Sequence, residues 1–306
     1  MGGKVSVGPL FCYDSGCLTS ATLMPSPIDL HSHSTASDGL LTPAELVRHA
    51  AAHGVRVLAL TDHDDTSGLE EASIAASVAG INLINGVEIS VTWKGRTIHI
   101  VGLQIDPEYA PLKEGLSNLR SGRLVRAEGM AASLSRTGIQ NSLKGAYSYV
   151  TRGIISRTHF ARFLVEQGYA KDFHAVFKRF LVKGKPGYFE HHWAEMEDAL
   201  DWITGSGGVA VIAHPGRYDL GRTNLQQLFE DFCRLGGTGV EVVTGNHSRI
   251  QYQEFARLSR QFGLLASKGS DYHGPGHPYI EMGSLPDLPE GCTPVWQDWA
   301  ETVAIV

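Results

Sequence analysis

From residue 27 onward the chain repeats one pattern: a short apolar run, a polar break, then apolar residues at helical spacing. Short apolar runs bounded by turn residues predict strands at 28–33, 55–61, 83–88, 97–103, 209–214, 240–243 and 264–270. Helical periodicity predicts helices at 43–53, 68–78, 195–204, 225–235 and 248–262. The first of these helices carries its own punctuation, with Thr42 as N-cap, Pro43 at the first helical position and Gly54 past its end. Lys94-Gly95 reads as a hairpin turn, so the third and fourth strands break the strict alternation of strand and helix. Seven strands interleaved with helices place the fold in the α/β class, as a (β/α)7 barrel.

Between residues 106 and 185 the rhythm changes. Strand signals vanish, and helices are predicted at 111–137, 156–167 and 172–182, with Gly138 and Gly168 standing where helix ends favour glycine. This stretch is expected to be a helical insertion into a barrel built from 25–105 and 186–306. Residues 1–24 mix Gly, Ser, Thr and Pro without periodicity and are expected to form a poorly ordered N-terminal extension.

Composition then excludes several classes. With 42% hydrophobic residues and no polar low-complexity tract, the chain is not disordered. No run approaches the roughly 18 apolar residues of a membrane span. Four cysteines without regular spacing do not make a disulfide framework, so a reducing cytoplasm is the expected compartment. A formal net charge of −6 argues against a general nucleic-acid coat protein. That average hides an asymmetry. Residues 106–185 carry 14 Lys+Arg against 6 Asp+Glu, and the remainder 12 against 26.

The 14 histidines carry the chemistry. Asp29-Leu30-His31-Ser32-His33 runs to the C-terminal end of the first strand, where barrel enzymes place their reacting groups, and His31 and His33 share a face. Thr61-Asp62-His63-Asp64 closes the second strand, Gly86-Val87-Glu88 the third, Ala213-His214-Pro215 the fifth and Ser270-Asp271-Tyr272-His273 the seventh. A turn at Lys94-Gly95 pairs Ser90 with His99 and makes Glu88 and His99 diagonal neighbours. So many imidazoles and carboxylates buried around one rim need a compensating charge, which metal ions supply. His49 and His53, four apart on an outer helix without a partner motif, are expected to be surface residues, as are His174, His191 and His192. Gly205-Ser206-Gly207-Gly208 precedes a strand, so it is not a dinucleotide loop.

In combination, His31-x-His33 with Asp38, Thr61-Asp62-His63, Glu88, His99, Ala213-His214-Pro215 and Asp271-x-His273 resemble the PHP (polymerase and histidinol phosphatase) metallohydrolases. The resemblance implies a distorted seven-stranded α/β barrel and three divalent metal ions. His31, His33, Glu88 and Asp271 would hold the first ion, and Asp38, His63 and His273 the second. His99 and His214 would hold the third, with Glu88 bridging. A shell of imidazole and carboxylate without thiolate suits Mn²⁺, the expected metal, or Fe²⁺ or Zn²⁺. Cys12, Cys17, Cys233 and Cys292 are then bystanders.

Ser156-Arg157-Thr158-His159-Phe160, Gly184-Lys185-Pro186 and His214-Pro215-Gly216-Arg217-Tyr218 resemble one branch of the family. That branch acts on nucleoside 3′,5′-bisphosphates, and members also trim short RNA from the 5′ end. The implied reaction is hydrolysis of the 3′-phosphate by direct attack of a metal-bridging hydroxide on phosphorus. The basic insertion is the expected substrate clamp, through Arg157, His159, Lys183, Lys185 and Arg217. His247 is a candidate general acid or substrate contact; Asp64, with Asp62, flanks His63 and is a candidate for the catalytic machinery. The expected partners are a nucleotide or other phosphate ester and short RNA ends; nothing in the sequence marks a membrane segment or an obligate protein partner. Histidinol phosphate phosphatase and hydrolysis of C–N bonds are the alternatives, and a polymerase-associated module a third class.

Overall fold

The computed structural model describes residues 27–151, 153–276 and 280–299. The expectation for residues 1–24 therefore lies outside the described residues. The chain runs β1 (Ile28–Asp29), α1 (Pro43–Ala52), β2 (Val57–Leu60), α2 (Leu69–Ala79), β3 (Asn82–Trp93) and β4 (Arg96–Leu103). Helices α3 (Ala110–Arg136), α4 (Ser142–Tyr147), α5 (Arg157–Glu166) and α6 (Phe173–Val176) follow, the last running on into a π-helical turn at Phe177–Leu181. The chain then returns to alternation with β5 (Ala194–Glu195), α7 (Met196–Gly205), β6 (Val209–Ile212), α8 (Arg222–Arg234), β7 (Gly239–Thr244), α9 (Arg249–Phe262) and β8 (Leu265–Gly269).

The strands lie in the order β1-β2-β3-β4-β6-β7-β8. Leu30 N–H donates to the Lys268 carbonyl at 3.0 Å and Asp271 N–H to that of His31 at 2.9 Å, which joins the first strand to the last and curls the sheet into a barrel. All ladders along this path are parallel except the two made by β4, which runs antiparallel to β3 and to β6. The α/β barrel read from the sequence is thus present, with its one reversal at the expected hairpin. Trp93 faces Arg96 and Ser90 faces His99. Lys94 and Gly95 both have positive φ, the conformation of a two-residue turn whose twist matches the strands it joins.

Alternation along the strands sorts the core into two layers. Ile28, Val57, Ala59, Val101, Leu103, Val211 and Ala213 fill the barrel interior, while Leu58, Leu60, Ile98, Ile100 and Ile212 face outward onto the helices. Thr42 and Glu45 form a capping box at the start of α1.

Two readings shift. The first strand is shorter than 28–33, because past Asp29 its backbone bonds are split between β8, the segment after it, and the end of β2, and no regular ladder forms. Ser32 N–H donates to Thr61 Oγ1 at 3.1 Å, and only an isolated bridge pairs Ser32 with Tyr272. The two-residue strand β5, beside β3, is too short to leave a periodic signal.

Between β4 and β5 the described chain is helical and has a core of its own around Met130, Leu134, Ile155, Phe160, Leu164, Val176 and Leu181. Helix α4, which the sequence did not signal, packs there through Ala146. Phe160 is fully buried in this second core. Truncating it (F160A) is expected to lower the unfolding free energy by about 3–5 kcal/mol, the cost of an unfilled aromatic-sized cavity, measurable by urea titration.

Candidate metal centre

The C-terminal rim of the barrel gathers all nine residues expected to be ligands. His31 and His33 follow β1, His63 follows β2, Glu88 and His99 are diagonal neighbours across the hairpin, His214 follows β6, and Asp271 and His273 follow β8. Asp38 arrives on the turn after His33. That turn folds back so tightly that a Cβ on Gly39 would lie 2.3 Å from the His33 carbonyl oxygen, which only glycine avoids. His214 and Asp271 sit at positive φ, backbone strain of about 1–3 kcal/mol each that the surrounding structure enforces at a functional rim.

Glu88 is the hub. Its Oε1 lies 2.8 Å from His99 Nδ1 and 2.9 Å from His214 Nε2; its Oε2 lies 2.8 Å from His63 Nδ1, 3.4 Å from His33 Nε2 and 3.5 Å from His31 Nε2. Asp271 Oδ1 approaches His33 Nε2 at 3.2 Å and His31 Nε2 at 3.5 Å, and Asp38 Oδ1 approaches His273 Nε2 at 3.3 Å. The Nε2 atoms of His31 and His33 are themselves 3.1 Å apart. Glu88 Oε2, Asp38 Oδ1 and His63 Nδ1 are buried, and their close approaches lack hydrogen-bond geometry. Buried donor atoms thus converge on shared points without completing hydrogen bonds between them, which is the arrangement cations occupy. Donor atoms group as His33, Asp38, His63 and His273; as His31, His33 and Asp271; as His31, Glu88 and His214; and as His63, Glu88 and His99.

Burial and charge set the protonation. Desolvation holds His33 and His214 down at about 3, so both are neutral donors near neutral pH. Burial also opposes charge on His31 and His273, yet neighbouring carboxylates outweigh it: Glu241 and Glu88 hold His31 well above the usual histidine range, and Asp38 holds His273 at about 9. Glu88 and Asp271 stay well below the carboxylate range despite burial, through the imidazoles around them and, for Asp271, first through Arg217.

Glu241 is the residue the sequence reading missed. Fully buried on β7, it sits 2.8 Å from His31 Nδ1 and also accepts the backbone N–H of His214. A carboxylate behind a ligating imidazole fixes its tautomer and turns Nε2 toward the centre. One carboxylate inside an apolar strand gave no signal in sequence. Asp62 acts similarly at one remove: it accepts Ser34 N–H at 2.8 Å and the Ser34 and Ser37 hydroxyls, pinning the turn that carries Asp38.

A cavity opens from this cluster toward the helical stretch, lined by Asp38, His63, His99, Arg123, Arg126, Arg157 and Arg217 among others. Its outer mouth adds Lys183, Tyr188 and Tyr218. Arg157 and Arg217 line both parts. Arg217 Nη1 is 2.6 Å from Asp271 Oδ2, and the Arg157 guanidinium lies 5.6 Å from the Phe177 ring. Lys183 is largely exposed, 3.8 Å from Glu190, and Lys185 is exposed outside the cavity. Arg123 and Arg126, which the sequence reading did not single out, come from α3, where Arg120, Arg123 and Arg126 share a helical face at spacing three. Arg126 is nine-tenths buried with no carboxylate in contact among the described residues, and burial lowers its pKa well below the usual value.

The hydrogen bonds show what three of the expected residues touch. His247 Nε2 accepts Gly216 N–H at 2.9 Å and its Nδ1 faces the Val242 carbonyl at 3.2 Å, so both ring nitrogens face backbone groups here. Asp64 accepts Ser90 N–H at 2.7 Å and Arg123 Nε–H at 2.7 Å; its carboxylate positions Arg123 and does not face the cluster. His159 Nδ1 accepts the Ser156 N–H at 3.0 Å inside a capping box, which makes it a helix cap more than a substrate contact, while Ser156 Oγ–H donates to Asp38 Oδ2 at 2.9 Å.

A mostly parallel barrel with imidazoles and carboxylates packed around its C-terminal rim is the architecture of a metal-dependent hydrolase. The sequence model of the PHP domain family matches residues 29–208, and the chain belongs to that family. It is 52% identical over 272 residues to the 3′,5′-nucleoside bisphosphate phosphatase of Chromobacterium violaceum, covering 89% of this chain and 95% of the relative. It is 44% identical over 275 residues to the 5′-3′ exoribonuclease Rnm of Escherichia coli, covering 89% and 94%. A metal-dependent phosphoesterase from Bifidobacterium adolescentis superposes with a TM-score of 0.75 at 28% identity, over 89% of this chain and 95% of that one. This chain is accordingly a metal-dependent phosphoric ester hydrolase. Among the described residues no helix is long and apolar enough to cross a membrane.

An ion held by His31 and His273 would have to displace the protons they carry. Since the latter titrates at about 9, apparent affinity for divalent ions is expected to rise with pH from about 6.5 to about 8.5, by about tenfold per pH unit for each proton released. Calorimetric titration of the metal-free protein reads this directly; equal affinities at both ends would contradict it.

Proposed function

We propose that this enzyme removes the 3′-phosphate from nucleoside 3′,5′-bisphosphates, adenosine 3′,5′-bisphosphate among them. The observation that carries the reading is the pairing of two unlike walls in one cavity: the imidazole–carboxylate rim on one side and Arg123, Arg126, Arg157 and Arg217 on the other. A substrate with one phosphate at the metals and a second several bonds away satisfies both. Histidinol phosphate carries one phosphate and a cationic amine, which these arginines repel. A neutral amide would leave Arg126 buried without an anion.

The centre would take three divalent ions, with Mn²⁺ favoured by its imidazole and carboxylate donors, as with Fe²⁺ or Zn²⁺, and by the absence of thiolate. His31, His33, Glu88 and Asp271 would hold the first; Asp38, His63 and His273 the second; His99 and His214, sharing Glu88, the third. The two oxygens of Glu88, turned toward different sets of imidazoles, support its bridging role. Such ions bring the pKa of bound water near neutrality and polarise phosphoryl oxygens. Around them, Glu241 orients His31, Ser156 orients Asp38, and Asp64 fixes Arg123 against the cavity. Arg157 and Arg126 would receive the distal phosphate, with Arg217 between it and Asp271.

The cavity's outer mouth, which passes Arg157 and Arg217 to reach Tyr188 and Lys183, favours a second activity on the same site: the 5′ end of a short RNA could thread outward past these groups. Residues 106–185 then act as the clamp. A cytoplasmic setting fits the free thiols of Cys233 and Cys292.

Phosphate release from a nucleoside 3′,5′-bisphosphate, histidinol phosphate and an aryl phosphate, assayed with Mn²⁺ added back after chelation, tests the substrate; preference for histidinol phosphate would overturn it. R157A is expected to raise KM for the bisphosphate roughly ten- to a hundredfold, the loss of about 1.5–3 kcal/mol in charge-assisted hydrogen bonding, with little change for the aryl phosphate. Equal effects on both would remove the clamp.

A further inference from the structure

A second donor cluster lies outside the cavity. His49 and His53, on one face of α1, meet Glu281 from the segment after β8, and their donor atoms lie within 4.8 Å of one another. We propose that these three residues bind a divalent transition-metal ion of the zinc class, separately from the catalytic centre.

The ring orientations suit ligation. His53 Nδ1 lies 2.8 Å from the His49 carbonyl oxygen, so this nitrogen donates and Nε2 carries the lone pair. A backbone carbonyl behind a ligating imidazole commonly sets the tautomer at metal sites in this way. The two rings lie with centroids 4.2 Å apart, as residues four apart on a helix can. Glu281 Oε1 sits 2.8 Å from His49 Nε2 and accepts the Met282 N–H at 2.9 Å, which holds the carboxylate in place. A tetrahedral ion with bonds of about 2.0–2.1 Å sets its donors roughly 3.3 Å apart, so this pair needs to open by only about half an ångström.

Tyr272 supplies an independent indication. It is 4% exposed, its ring stacks on His49 at 5.0 Å, and its hydroxyl has no hydrogen-bond partner among the described residues. A buried hydroxyl left unpaired is destabilising, and water carried by an ion at His49, His53 and Glu281 would satisfy it. Two imidazoles and one carboxylate, open to solvent on one side, favour Zn²⁺, Ni²⁺ or Cu²⁺ over Mn²⁺. Because Tyr272 stands between Asp271 and His273, an ion here would fasten the strand end that delivers both to the catalytic rim.

The test measures metal content of the full chain after saturation with Zn²⁺ and removal of loose ion, by plasma mass spectrometry. The wild type is expected to hold one Zn²⁺ per chain more than H53Q and one more than E281Q, while H174Q, at an exposed histidine, matches the wild type. Phosphate release with Mn²⁺ should be retained in both site variants. Equal zinc content in all four proteins would overturn the site. So would loss of catalysis together with the ion in H53Q and E281Q, which would assign that ion to the catalytic centre.

Discussion

A single buried carboxylate sets the terms for this molecule. Glu88 lies on a central strand, wholly out of water, and a charge there is tolerable only with opposite charge close by. His63, His99 and His214 press against it, with His31 and His33 slightly farther away. Those residues come from the ends of different strands, so satisfying Glu88 requires the barrel to close with one register. Closure through the hydrogen bonds from Leu30 and Asp271 serves the same end. The barrel is therefore as much a device for assembling donors as a hydrophobic core.

Around the donors lies a layer of side chains whose work is orientation. Glu241 sets His31, Ser156 sets Asp38, Asp62 holds the turn between His33 and Gly39, and Asp64 aims Arg123. His247 belongs to this layer too: by bridging Gly216 and Val242 it supports the segment that carries His214 and Arg217. The helical stretch reaches into the same network, since Arg123, Ser156 and Arg157 all come from it. It has a separate core beneath these groups, and Arg126 is buried there with its guanidinium 5.2 Å from the Trp193 ring.

Much of this was legible in the chain. Strand ends and hairpin register followed from period-two alternation and the Lys94-Gly95 turn, because both are local. Most of the rim histidines and carboxylates stood out because they cluster near strand ends, while the full set with Asp38 and His99 was implied only by the family resemblance. Less legible were Arg123 and Arg126, three apart on a long helix, a pattern shared by any solvated helical face. The contacts of His247, His159 and Asp64 were not legible for a related reason: which backbone or side-chain group a polar residue meets is settled only once the chain is folded.

What the sequence by itself determined is the class of fold, the placing of donors at one rim and the charge asymmetry between barrel and helical stretch. Periodicity and composition encode these directly. Only the tertiary structure decided which donors share a point in space, that Glu241 stands behind His31, and that Glu281 meets His49. These are contacts between residues 210 and 232 positions apart. Such pairs are set by barrel closure and side-chain packing, and no local pattern along the chain carries that information.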